Sequence, residues 1–223
     1  MAQNINSLLK GMREAGKLRN YKEKGDLGEE VVWELCKNLG LPNFLLYHSY
    51  KYPYQSNRDN VVYTGNVKYE NGRFVEYTSK SIDDEIDVLL VTPYRVFPIE
   101  VKSYRAKRID AYDHWVNKDG DPVDKSPIAQ AEKHARHLYH AIHMALPDGD
   151  SSYIIPIVCF TDKCALYDER APQFKDYIPV CIANTLRKTL LQYNKPGNYL
   201  LSLSAIQDKL KEHAVSIKRK LTK

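Results

Sequence analysis

A chain of 223 residues, 43% of them apolar, can bury one substantial core with room for an insertion, and it contains no apolar run of membrane-spanning length and no signal-peptide h-region. Its four cysteines, Cys36, Cys159, Cys164 and Cys181, include no CxxC pair, which argues against a disulfide scaffold or a thiolate zinc site and points to reduced thiols in the cytoplasm. The net charge of +5 is unevenly spread: residues 1–24 and 207–223 each carry six Lys/Arg against two acids, +4 apiece, which leaves the body at −3. A mildly acidic body with basic ends suits a protein that grips an anionic polymer at its edges, and it equally suits solvated helix faces and tails.

In chain order, GDLGEEVVWELCKNLG predicts a helix with Asp26 as N-cap, Glu29 completing a capping box, Leu27, Val31, Leu35 and Leu39 on one face, and Gly40 at the stop. NFLLYHSYKY (43–52) reads as a strand, and KYENGRFVEY (68–77) as a hairpin turning at Asn71-Gly72. EIDVLLV and YRVFPIEVK form two strands around Thr92-Pro93-Tyr94-Arg95. Ser126 and Pro127 open a helix through IAQAEKHARHLYHAIHMAL. YIIPIVCF, CALYD and YIPVCIA follow as strands, with Pro156 suggesting an edge or bulge. Helices near 185–193 and 205–220 finish the chain, the second announced by Ser204-x-x-Gln207. This order predicts an α/β fold with a mixed sheet flanked by helices.

The turn sets a register. With Pro93 at its second position, partners across the antiparallel pair sum to 187, so Asp87 lies opposite Glu100 and Glu85 opposite Lys102. Directly opposed carboxylates sit roughly 4.5–5.5 Å apart at Cβ and repel, so they call for a cation, a shared proton or a solvated edge. Oxygen donors so arranged suit Mg²⁺ or Mn²⁺, and Lys102 on the same face can position water or neutralise charge on a phosphate. Read alone, the stretch is also an ordinary strand with Phe97, Ile99 and Val101 buried, Glu100 and Lys102 solvated, and Glu85 paired with Lys102.

The segments GDLGEE (25–30), EIDVLLVTPYRVFPIEVKS (85–103) and SPIAQAEKHARHL (126–138), in this order, resemble the nuclease-related domain, NERD, of the PD-(D/E)xK nuclease superfamily. Trp115 and the strand YIIPIVCF look similar too, so the resemblance covers most of residues 25–193. It implies a restriction-endonuclease-like core, with Asp87 and Glu100 as metal ligands, the Val101 carbonyl as a third, Lys102 as catalytic lysine, Glu29 as the helix carboxylate and Gln130 as the downstream polar residue. Two departures stand out: residues 53–83 are tyrosine-rich and look inserted, and His134 occupies a position that is often tyrosine in related nucleases.

The loop after the metal strand carries Arg105, Lys107 and Arg108, which suit phosphate contacts, followed by Tyr112, His114 and Trp115, which suit either base stacking or a packed flap. Gln130 and His134, one turn apart on a helix, can reach one site, but the His134, His137, His140 and His143 series drifts around the axis and reads as a polar stripe. The expected organisation is a basic extension (1–24), a nuclease domain (25–195) and a basic C-terminal helix (196–223). The expected function is a cytoplasmic Mg²⁺- or Mn²⁺-dependent deoxyribonuclease, endonucleolytic, with DNA as partner and no membrane. RNA-directed or structure-selective cutting, and a catalytically weak binding or assembly module, are the alternatives. A dimer arm is one reading of residues 1–24, so the oligomeric state stays open.

Overall fold

A computed structural model describes residues 21–53, 67–70, 73–76, 83–103, 106–110, 114–117, 119–122, 126–161, 167–170 and 177–220. Five strands form the main sheet in the order β1 (Leu45–Pro53), β4 (Asp83–Val91), β5 (Val96–Lys102), β8 (Ile157–Phe160), β10 (Val180–Ile182). β4 runs antiparallel to both β1 and β5, whereas β5, β8 and β10 run parallel to one another, so the sheet is mixed. Apart from it, β2 (Val67–Glu70) pairs with β3 (Arg73–Glu76), Glu70 opposite Arg73, the register expected of the hairpin; Asn71 and Gly72 lie outside the described residues. A three-stranded sheet joins β7 (Trp115–Asn117), β6 (Ala106–Ile109) and β9 (Tyr167–Asp168).

Helices cover both faces of the main sheet. On one, α1 (Tyr21–Lys37) and α3 (Ala183–Tyr193) pack Val32, Cys36, Leu186 and Leu190 against Val88, Leu90, Phe97, Ile99 and Val101. On the other, α2 (Pro127–Ile142) and α4 (Leu203–Lys220) pack Leu138, Ile142, Ile206 and Leu210 against Ile86, Leu89, Val91 and Val96. This is an α/β fold consistent with a restriction-endonuclease-like core. Burying both faces explains why β4 and β5 read as near-continuous apolar runs.

The β4–β5 turn forms as the residue types dictate. Thr92 N–H donates to the Arg95 carbonyl at 2.9 Å, and the ladder runs from Val91↔Val96 to Val88↔Ile99, each pair summing to 187. Ser126 caps α2, its Oγ accepting from Ala129 N–H at 3.2 Å with Pro127 at the first position.

Four local expectations are corrected. α1 begins by Tyr21, so Asp26 and Glu29 lie inside the helix and form no capping box. At α4 the cap is Ser202, whose Oγ accepts from Ala205 N–H at 3.3 Å, two residues before the predicted box. β8 is an interior strand between β5 and β10; Pro156 sits just before its paired stretch, where it removes no ladder hydrogen bond. Glu85 faces Lys51 across β1, with an ion pair of 3.4 Å, and does not meet Lys102.

Candidate active site

Alternation along β5 sends Phe97, Ile99 and Val101 toward α1, and Glu100 and Lys102 toward α2. The second face is not solvated, because α2 covers it; Glu100 is 2% exposed, which overturns the ordinary half-solvated strand. A buried carboxylate needs polar company, and the polar stripe of α2 supplies it. Lys102 Nζ forms an ion pair with Glu100 Oε1 and donates to Gln130 Oε1 at 3.0 Å. His134, one helical turn beyond Gln130 and 4% exposed, places Nδ1 3.1 Å from Glu100 Oε2. Oε2 is sealed from solvent and accepts no hydrogen bond.

Asp87 reaches the same place by a break in alternation. In β4, Ile86 lies in the α2/α4 layer together with Leu89 and Val91, while Val88 faces α1; strict alternation would put Ile86 beside Val88. β1 breaks at the matching point: Tyr47 and Tyr50 share one layer, and Ser49 between them has φ 48°. The β1–β4 ladder skips the Ser49/Asp87 position. The β4–β5 ladder stops at Val88↔Ile99, so Asp87 and Glu100 do not form the direct cross-strand pair expected of the register; Val101 N–H, which regular pairing would direct to β4 backbone, donates instead to Asp87 Oδ2 at 2.6 Å.

Burial is the largest influence raising the Asp87 carboxyl, to about 7, and the Glu100 charge is the next; Glu29 adds to it, while the Val101 amide and Lys102 oppose it. Glu29 reaches over from α1. Ser49 Oγ donates to its Oε2 at 3.2 Å, and His48 Nε2 lies 3.7 Å from the same oxygen. Burial also pushes the Glu29 carboxyl upward, against the Ser49 hydrogen bond and His48. α1 comes this close because Gly28 has no side chain: a Cβ there would stand 3.0 Å from Thr161 Oγ1.

The donor set fits a hard divalent cation. Glu100 Oε2 is a buried acceptor for which the protein supplies no donor, and Asp87 is held toward its protonated form by a neighbouring carboxylate whose repulsion a cation would reverse. Among the described residues no group of three or more His, Cys, Asp or Glu side chains is arranged to hold an ion. Such a site would therefore use two carboxylates, a peptide carbonyl, water and phosphate oxygens, a shell typical of Mg²⁺.

Of the three basic residues expected to grip nucleic acid, only the Arg108 side chain is among those described. Arg108 is exposed and paired with Glu169 at 2.9 Å. Arg105 and Tyr112 lie outside the described residues, as does the Lys107 side chain. Trp115 is 2% exposed and stacks toward Phe160, ring centroids 5.6 Å apart, so it belongs to the core and offers no face to a base.

Sequence reasoning missed two site residues. His134 carried a signal, its i+4 spacing from Gln130, but the regular histidine series hid it. Ser49 carried none, because nothing in LLYHSYKY marks a positive φ.

A family model described as NERD, nuclease-related domain, matches residues 24–161, well over half of the chain and a span that includes Glu29, Asp87, Glu100, Lys102, Gln130 and His134. No curated protein and no solved structure gives a significant match.

Proposed function

Because the chain belongs to the nuclease-related domain family, we propose that it is a metal-dependent nuclease that hydrolyses phosphodiester bonds within DNA. The observation that carries this reading is the pairing of the half-buried Asp87 carboxylate with the buried Glu100, with Lys102 beside one of them and a sealed, unsatisfied oxygen on Glu100. Asp87 and Glu100, with the Val101 carbonyl, would hold Mg²⁺ or Mn²⁺. Such an ion supplies a polarised phosphoryl oxygen and an acidified water.

The chain's own groups do the rest. Val101 N–H fixes Asp87 Oδ2 against β5. Gln130 gives Lys102 Nζ a second anchor 3.0 Å away, so the ammonium keeps its place when it turns from Glu100 toward charge developing on the phosphate. Glu29, reaching the edge between β1 and β4, completes the carboxylate group and orients water through its remaining oxygen. The basic residues after β5 and the basic ends would hold the phosphate backbone of DNA, with RNA as the alternative polymer. Cys36, Cys159 and Cys181 are free and buried thiols, which suits the cytoplasm; among the described residues no helix is long and apolar enough to cross a membrane.

The closed Glu100–Lys102 ion pair and the absence of a third side-chain donor among the described residues favour a second reading, a weakly catalytic nucleic-acid-binding module. One experiment separates the two. The protein, Asp87→Ala and Lys102→Ala are incubated with circular, linear and single-stranded DNA in Mg²⁺, Mn²⁺ or EDTA. Nicking of circular DNA by the wild type alone, abolished by EDTA, supports the nuclease. Equal cutting by the variants, or binding without cutting, overturns it.

A further inference from the structure

We propose that His134 is a positioning residue for the Glu100 carboxylate, an assignment that rests on the nuclease reading above and adds a fixed histidine to it. A glutamate carboxylate turns freely about its last torsion, so something rigid must set its plane before both oxygens can face in useful directions. Lys102 cannot do this. Its ammonium is a point charge on a flexible stem, and it engages Oε1 alone. His134 can: its ring is 4% exposed, sits on a helix packed against the sheet through Leu138 and Ile142, and puts Nδ1 3.1 Å from Oε2.

The nitrogen itself is what matters: Nδ1 stands in ion-pair range of Oε2, a polar contact that a phenyl ring would not supply, while Oε2 accepts no hydrogen bond and its lone pairs stay open. Gln130, one turn earlier on α2, holds the other end of the pair through Lys102. A single helical face therefore sets both charged groups of β5: Gln130 takes the lysine and His134 takes the glutamate. Groups that orient a ligand from outside the coordination shell change metal affinity about 10- to 100-fold when removed.

The test measures Mn²⁺ binding to the full chain by electron paramagnetic resonance, with no nucleic acid present. His134→Phe keeps a ring and loses the nitrogen; His134→Asn returns an amide near the position of Nδ1. The expected result is about 10-fold weaker Mn²⁺ binding by His134→Phe, recovery to within about threefold in His134→Asn, and no directly coordinated ¹⁴N in the wild-type signal. The melting temperature in EDTA shows that both variants are folded. If His134→Phe binds like the wild type, if both variants are equally weak, or if ¹⁴N is coordinated directly, the positioning role is wrong and the nuclease reading survives. If the wild type itself binds no Mn²⁺, both fall together.

Discussion

Asp87 accepts the backbone amide of Val101 at 2.6 Å and thereby sits one residue from Glu100 across the β4–β5 gap, in a place where burial first and the Glu100 charge second raise its carboxyl to about 7. The strands part there because the side chain takes a hydrogen bond that regular pairing would give to backbone. A carboxylate inserted into a sheet in this way is unfavourable for folding and available for chemistry, and the balance between the two can be measured.

The sign for stability follows from the proton count. In the unfolded chain Asp87 ionises near its ordinary value of 3.8, whereas in the folded protein it holds its proton to about 7. Between those values the native state binds more protons, so stability falls as pH rises from about 4 to about 7 and levels off above that. Asp87→Asn keeps an acceptor for Val101 N–H and removes the charge. Chemical denaturation in EDTA at pH 8 should find this variant more stable than the wild type by on the order of 2 kcal/mol, with the difference gone at pH 4. A variant less stable at pH 8 would refute the buried repulsion.

A divalent cation bound by Asp87 and Glu100 should offset that loss. Mg²⁺ or Mn²⁺ is expected to raise the melting temperature by several degrees at pH 8, by much less at pH 5, and not at all in Asp87→Asn. Differential scanning fluorimetry with and without EDTA reads this directly. A rise equal at both pH values would place the ion elsewhere.

Ser49, at φ 48°, adopts a conformation that costs a non-glycine residue about 1 kcal/mol. Ser49→Gly relieves this but removes the Oγ donor to Glu29, and the expected change in unfolding free energy is within about 1 kcal/mol of zero. Ser49→Val, β-branched and without a donor, should be less stable by roughly 2 kcal/mol or more. Urea denaturation of the two variants side by side checks the order.

Trp115→Ala should behave as a core mutation. Its ring packs with Ile109, Ile128 and Phe160, so truncation is expected to cost about 3–5 kcal/mol. DNA affinity of whatever fraction stays folded should be unchanged in gel shift. A stable variant with weakened DNA binding would restore the stacking role.

The parts of the fold that could be read in advance are those written in local chemistry. Thr92-Pro93-Tyr94-Arg95 dictates one turn, the turn dictates the register, and the register brings Asp87 toward Glu100. Ser126-Pro127 dictates where α2 begins, which brings Gln130 and His134 over β5. The break at Ser49 and Asp87 was not legible, because it is negotiated between two strands and the layers on either side. The start of α1 was misjudged because Asp26 and Glu29 fit a capping box that the packing of a longer helix overrides. Trp115 shows a third limit: an aromatic beside basic residues looks alike in sequence whether it faces a ligand or a core.

Tyr50 Oη donates to the Leu210 carbonyl at 3.1 Å, a bond that spans 160 positions of the chain. It ties the edge strand beside Asp87 to a helix made well after the strands it covers. β1 and β4 are made before the helix that closes over Tyr50, and long-range closures of this kind are slow to form. The edge strand beside the carboxylate cluster is thus closed over only after residue 210 has been made.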